Sequence, residues 1–319
     1  MESPPRVAVV GAGAVGGFFG GMLARSGARV TLIGRPGPPG PHLQAIARDG
    51  LFIDGVKIRE KIAVHASQRI EDAKGAGLVL FCVKTVDTDS AARSLAPHLE
   101  DGTIVVSLQN GIDNVDRMRA AGVDAIPAVV FVAAAVESPG RVKHRGRGDL
   151  VIGHPTRRDE VRRVSRWFEQ AGVPCVVSGD VERALWLKLI INSMANATSA
   201  LTGASYLALA EYEPTWKVGV AVAGEAVAVA AKLGVPLDLE DVLEKGRAVI
   251  VSVGSATSST EQDIAHGRPT EIDSLNGYIA RRGAEVGVPT PANDALHALV
   301  KLRERIGGRT AVTGNSRPE

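Results

Sequence analysis

Arg6-Val7-Ala8-Val9-Val10-Gly11-Ala12-Gly13-Ala14-Val15-Gly16-Gly17 is the stretch on which the fold turns. A short β-branched run passes directly into glycines spaced Gly-x-Gly-x-x-Gly, and each has its own physical reason. Gly11 makes the tight turn out of a strand, Gly13 lets backbone approach a pyrophosphate, and Gly16 allows a helix to pack closely on the sheet. The following helix begins at the phosphate, with free N–H groups and its positive dipole end facing the anion. The motif alone is weak in a chain of 36 glycines, where a purely structural turn is the alternative. Its context is stronger: residues Phe18 to Ala24 can form a helix, and Arg29-Val30-Thr31-Leu32-Ile33 supplies a second strand. The expectation is a dinucleotide site with the backbone of Gly11, Ala12, Gly13, Ala14, Val15 and Gly16 around the pyrophosphate.

The segment after the second strand selects the dinucleotide. A site for NAD usually carries an acidic residue about 20 residues beyond the motif, accepting from the ribose 2′-hydroxyl. Here that place is Ile33-Gly34-Arg35, with no carboxylate between the glycines and Asp49. A guanidinium suits bidentate contact with a 2′-phosphate, so NADPH is preferred. The alternative for Arg35 is a solvated loop arginine.

Working outward, 319 residues with 45% hydrophobic content suffice for two domains, each with its own core. A net charge of +2, without a basic block interleaved with aromatics, excludes nucleic acid as the expected partner. No apolar run reaches about 18 residues, and Met1-Glu2-Ser3-Pro4-Pro5 lacks the features of a signal peptide, so a cytoplasmic protein without a membrane partner is expected. Cys82 and Cys175 are far apart in sequence, and Cys82, inside the strand-like run Leu78–Val83, reads as a buried inert thiol. The seven histidines show no ligand spacing, so no metal is expected.

Up to about residue 180, short apolar runs alternate with helical stretches. The runs at Val7–Val10, Val30–Ile33, Leu78–Val83 and Ile104–Leu108 have the pattern of parallel strands buried on both faces. Ala125–Val136, Arg141–His144 and Asp149–Gly153 read as antiparallel strands joined by turns at Pro139-Gly140 and Gly146–Gly148. Beyond Asp180 the pattern becomes helical, over Val181–Leu201, Pro214–Leu233, Leu239–Ser258 and Thr270–Val286. The fold class is therefore α/β, a Rossmann-type domain over 1–179 followed by an all-α domain over 180–319, with a polar tail at Gly307–Glu319 expected to fray. A helical second domain of this kind makes a homodimer possible.

Ligands of open parallel sheets bind outside the carboxyl ends of the strands, where Lys84 and Gln109-Asn110-Gly111 fall. A solvated lysine and a simple turn are the alternatives. On a helix through Leu185–Leu201, Lys188, Asn192, Asn196 and Ser199 share an arc of roughly 80° at about 100° per residue, with Leu187, Ile190, Met194 and Leu201 opposite. An outward stripe would carry Glu, Lys and Arg, whereas asparagines are poor helix formers. They read as groups lining a cleft, or else as bonds to another helix. Thr270 and Asp273 have capping-box spacing, which puts Glu271 in a first helical turn.

At these residues the chain resembles the ketopantoate reductase (2-dehydropantoate 2-reductase) family. The motifs are the opening Gly-Ala-Gly-Ala-Val-Gly-Gly, Gln109-Asn110-Gly111, Pro139-Gly140-x-Val142-x-His144-x-Gly146-x-Gly148, Trp186-x-Lys188-Leu189-x-x-Asn192-x-x-x-Asn196, Ser258-Ser259-x-x-Gln262-Asp263 and Thr270-Glu271-Ile272-Asp273-x-x-Asn276-Gly277. The resemblance spans nearly the whole chain. It implies NADPH-dependent reduction of a small-molecule 2-keto acid, ketopantoate to pantoate, on the route to pantothenate and coenzyme A. It further implies Lys188 as general acid, Glu271 as the residue orienting the substrate hydroxyl and the lysine, Asn110, Asn192, Asn196 and Ser259 as substrate contacts, and Lys84 beside the cofactor. The chain departs from the pattern at Ala197, Ser199 and Thr260, and at Tyr206 and Ala256, where some members carry further substrate-binding asparagines. Those departures leave the identity of the keto acid open. A non-catalytic NADP(H) sensor is the reading from another class; such a protein could lose Lys188 and Glu271, and both are present.

Overall fold

The computed structural model describes residues 5–313, in two compact units that divide between Val181 and Glu182. The first unit runs β1 (Arg6–Val10), α1 (Ala14–Arg25), β2 (Arg29–Ile33), α2 (Pro41–Asp49), β3 (Leu51–Gly55), β4 (Arg59–Ile62), β5 (His65–Ser67), β6 (Leu78–Phe81), α3 (Thr88–Leu95), β7 (Ile104–Ser107), α4 (Asn114–Ala120), β8 (Ala125–Ser138), β9 (Arg141–Ile152), α5 (Arg158–Gln170) and β10 (Cys175–Val177). The strands form one mixed sheet in the order β4-β3-β9-β8-β7-β6-β1-β2-β5, with β10 also on β9. From β8 through β7, β6 and β1 to β2 every pairing is parallel. The carboxyl ends of these strands therefore share one edge.

The unbroken apolar character of β1 follows from burial on both faces. Val7 and Val9 join Phe18, Phe19 and Leu23 of α1, while Ala8 and Val10 face the other side with Val79, Phe81, Leu95 and Met118. On the first of these faces Phe18 also stacks on His144, ring centroids 4.2 Å apart, fastening α1 to β9. This packing accounts for His144 in the hairpin motif.

Two expectations are corrected in this unit. Gly146–Gly148 is not a turn: Arg141–Ile152 is one strand, paired antiparallel with β8 through register shifts around Val132 to Ala134. The extra residues are taken up as bulges, with Arg147 at φ 54°. The short strands β3, β4 and β5, absent from the apolar pattern, extend the sheet at both ends; β3 lies parallel to β9 and is stitched to it by Asp54, which accepts from Lys143 (3.0 Å) and from Arg141. Cys82 lies one residue past β6 and is half-buried rather than buried. Burial nevertheless pushes its thiol pKa up, and that of Cys175 up to about 12, so both stay protonated.

The second unit is helical: α6 (Val181–Thr202), α7 (Tyr206–Glu211), α8 (Glu213–Lys232), α9 (Leu239–Val253), α10 (Ser259–Ala265), α11 (Asn276–Val286) and α12 (Pro291–Thr313). Thr270–Val286 is thus not one helix, and the expected stretch to Ser258 ends at Val253. Helix α12 reaches into the segment expected to fray, of which residues 314–319 lie outside the described residues. From Leu189 to Ala200 only Asn192 of α6 escapes burial, which makes this helix the axis of the unit. The start of α12 is held by Glu225 of α8, whose carboxylate accepts from the backbone N–H groups of Ala292 (2.8 Å) and Asn293 (3.0 Å).

Candidate active site

Three parallel strands build the first cluster. β1 lies between β6 and β2, and Gly11 leaves it by donating to the carbonyl of Ile33 at 2.8 Å. Gly11 has φ 107°, and a Cβ there would meet the Cys82–Val83 backbone at 2.6–2.7 Å. A Cβ on Gly16 would lie 2.1 Å from the Gly11 carbonyl oxygen. Both positions require glycine for packing alone. At Gly13 a Cβ would meet nothing within 4 Å, so its small size serves open space in front of the helix. Gly13 is the N-cap of α1 and supplies no side-chain cap, and the first turn holds no acidic residue. The terminal N–H groups of α1 are left to an anion, as a pyrophosphate site needs.

The neighbouring strand ends are pinned by buried polar groups. Gln109 donates from Nε2 to the carbonyl of Val83 (3.1 Å) and to Thr88 Oγ1 (2.8 Å), and accepts from Ser107 Oγ (3.0 Å). Asn114 Nδ2 and Thr85 Oγ1 both donate to the carbonyl of Asn110, at 2.6 and 3.2 Å. Gln109, Thr85 and Asn114 thereby fix the half-buried Lys84 and Asn110 at the same edge as Gly11. Arg35 is exposed, two residues past β2, and its Nη2 donates to Asp87 Oδ2 at 2.7 Å. No carboxylate lies between the glycines and Asp49 in the sequence, but in the fold one reaches Arg35 from beyond β6.

The second cluster lies wholly in the helical unit. Lys188 and Asn192 are half-buried on α6, whereas Asn196 is 2% exposed and Ser199 fully buried. The expected division of α6 into apolar and polar sides is corrected, because the helix is buried nearly all round. Asn196 Oδ1 accepts from Tyr206 Oη at 2.7 Å, and burial pushes the Tyr206 pKa up to about 12, keeping the phenol a donor. The alternative of a bond to another helix thus holds for the Asn196 oxygen. Ser258 closes the row: its N–H donates to Ser199 Oγ (3.1 Å), its Oγ donates to the Asn196 carbonyl (3.2 Å), and the same Oγ accepts from Glu261 N as the cap of α10. Ser259 is left exposed at the first position of α10.

Glu271 is half-buried, and it is not in the first turn of an α-helix. It precedes a single 3₁₀ turn, Ile272–Ser274. The expected capping box does not form, because both of its members are engaged by α12. Thr270 donates from N (2.7 Å) and Oγ1 (2.6 Å) to Glu304 Oε1, while Asp273 accepts from His297 Nε2 (2.6 Å) and Lys301 Nζ (2.8 Å). The segment is also tied to α6: Asn276 Nδ2 donates to the Ser193 carbonyl at 3.2 Å, and Trp186 packs on Tyr278 with ring centroids 5.9 Å apart. The turn bearing Lys188 and the loop bearing Glu271 are therefore fastened to each other. Among the described residues no group of three or more His, Cys, Asp or Glu could hold a metal ion, and no helix is long and apolar enough to cross a membrane.

His297 and Lys301 hold the Asp273 carboxyl well below the usual carboxylate range. A depressed folded pKa contributes stability above the unfolded pKa, near pH 4, that disappears as pH falls toward the folded value. The side chain is 46% exposed, so solvent screens the effect. Asp273→Asn is expected to be less stable than the parent at pH 6 in urea, with the difference shrinking below about pH 4. Parallel stability curves from pH 6 to pH 2 would refute this.

Comparison with known proteins gives matches over nearly the whole chain. The family model described as "Ketopantoate reductase PanE/ApbA" matches residues 7–157, and its companion, "Ketopantoate reductase PanE/ApbA C terminal", matches residues 180–304. A 2-dehydropantoate 2-reductase of Pyrococcus horikoshii is 34% identical over 305 residues, 95% of this chain and 99% of that protein. A solved PanE/ApbA family ketopantoate reductase from Ralstonia eutropha JMP134 is 44% identical with TM-score 0.88, over 95% of this chain and 99% of that one. D-mandelate dehydrogenase, solved with NADH and anilino(oxo)acetate, shares the fold at TM-score 0.89 and 24% identity, over 95% and 99% of the two chains.

Proposed function

Because the chain belongs to the ketopantoate reductase family, which both of its halves match, we propose that it reduces 2-dehydropantoate to pantoate with NADPH, on the route to pantothenate and coenzyme A. The observation that carries the reading is the row Lys188–Asn192–Asn196 on a helix to which the Glu271 loop is fastened. A protein that only sensed the dinucleotide would need neither.

The dinucleotide fits the residues present: the N–H groups at the start of α1 suit its pyrophosphate, and the open space at Gly13 admits it. Gly11, Ala12, Gly13, Ala14, Val15 and Gly16 would hold it, with Arg35, Lys84 and Asn110 at the neighbouring strand ends. When bound, it supplies the reducing equivalent for the keto carbon. Negative charge then develops on the carbonyl oxygen, which Lys188 stabilises as an ammonium and neutralises by giving its proton. Glu271 accepts from the substrate hydroxyl and orients the lysine. Asn192, Asn196, Ser259 and Asn110 bind the remaining polar groups of the substrate. The cytoplasm and a homodimer complete the proposal; exposed Leu299, Leu302 and Ile306, spaced along one face of α12, support the dimer, which light scattering would read.

The deciding experiment follows NADPH oxidation against a panel of 2-keto acids. Ketopantoate should give the highest kcat/KM. A second reading, a reductase of another 2-keto acid, is favoured by one observation: Tyr206 stands where some members carry an asparagine and engages the Asn196 oxygen. A branched or aromatic 2-keto acid outrunning ketopantoate would select that reading, and no oxidation with any of them would remove both.

A further inference from the structure

Sites for these dinucleotides usually present one of two groups at the adenosine ribose. A carboxylate accepts from the 2′-hydroxyl of NADH, and an arginine takes the 2′-phosphate of NADPH. This chain has the arginine after β2 and, paired with it, a carboxylate that comes from beyond β6. Arg35 follows β2, Asp87 follows β6, and β1 with its glycine turn lies between those strands. The 2.7 Å bond from Arg35 Nη2 to Asp87 Oδ2 reaches across the carboxyl end of β1.

The two partners are not held equally. Asp87 ends the 3₁₀ turn Thr85–Asp87, its N–H donating to the Lys84 carbonyl at 2.8 Å, and Thr85 is tied to Asn110. Its side chain is 35% exposed against 76% for Arg35. The Arg35 backbone is fixed, with Gly34 N donating to the Ser67 carbonyl (2.8 Å) and Gln68 Nε2 donating to the Arg35 carbonyl (3.3 Å). The long guanidinium arm can turn toward a phosphate, but the carboxylate stays. A 2′-phosphate held by Arg35 then lies near a fixed like charge, whereas a 2′-hydroxyl meets an acceptor.

We propose that Asp87 is a specificity-determining residue, which holds Arg35 and offers a carboxylate to the same ribose, so that NADH is admitted and the preference for NADPH stays smaller than Arg35 alone would give. The proposal rests on the dinucleotide reading of the first unit. Its test is equilibrium binding of NADPH and NADH, read by nucleotide fluorescence at fixed ionic strength, to the parent, Asp87→Asn, Asp87→Ala and Arg35→Ala. Asp87→Asn should tighten NADPH about tenfold, the effect of removing one like charge at intermediate dielectric, and weaken NADH severalfold. Asp87→Ala should widen the preference in the same direction, and Arg35→Ala should narrow it. Raised salt should shrink the gain in NADPH affinity, since it is electrostatic. An unchanged ratio of the two dissociation constants in both Asp87 variants would overturn the proposal, and so would weaker NADPH binding, which would make Asp87 a support for Arg35. A parent that binds neither nucleotide would instead overturn the dinucleotide reading itself.

Discussion

Replacing Lys188 by alanine is expected to lower kcat for keto-acid reduction by about 10²–10⁴, the contribution of a positioned proton donor, while NADPH affinity is unchanged. The cofactor-binding groups belong to the first unit and Lys188 to the second, so the two measurements separate proton donation from cofactor binding. Alanine is the best helix former, and α6 is anchored by buried Trp186, Leu189 and Ile190 around the site, so the variant should fold. The pH profile gives the sharper evidence. An acid that must carry its proton loses activity as pH rises through its pKa, so kcat of the parent should decline on the alkaline side and Lys188→Ala should lack that limb. The same limb in the variant would move the acid elsewhere, Lys84 being the next candidate.

Glu271→Gln should reduce kcat/KM by about 10- to 10²-fold, the worth of one charge-assisted hydrogen bond of about 1.5–3 kcal/mol. Thermal stability should hardly move. The loop is anchored through Thr270 to Glu304 and through Asp273 to His297 and Lys301. Glu304→Gln makes the contrasting control, since it loosens an anchor and should lower the melting temperature. A Glu271→Gln enzyme with parental kcat/KM would leave Glu271 a purely structural residue.

The contrast between these residues shows what a sequence can disclose. The glycine turn, its flanking strands and the helical character of the second domain are local, written in the spacing of apolar residues and glycines. Lys188, Asn192 and Asn196 stand out in the sequence because three polar residues recur at one-turn intervals, but the burial of Asn196 does not show there, since it comes from helices packed all round α6. What stayed hidden was decided by distant partners. Thr270 and Asp273 had the spacing of a capping box, but acceptors and donors some thirty positions on, at Glu304, Lys301 and His297, won those groups. Gly146–Gly148 looked like a turn because bulges and turns use the same residues. Asp87 carried no mark of its own: only the order of β6, β1 and β2 brings it to Arg35.

Helix α12 comes last in the chain and holds a loop that precedes it. The partners of Thr270 and Asp273 in the Glu271 loop are on it, and its own start is held by Glu225 of α8. During synthesis the loop emerges before the helix that holds it. A chain stopped before His297 carries Lys188 but lacks the α12 side chains that hold the Glu271 loop, which keeps only its ties to α6 through Asn276 and Tyr278. Such a product would capture nucleotide and turn over little.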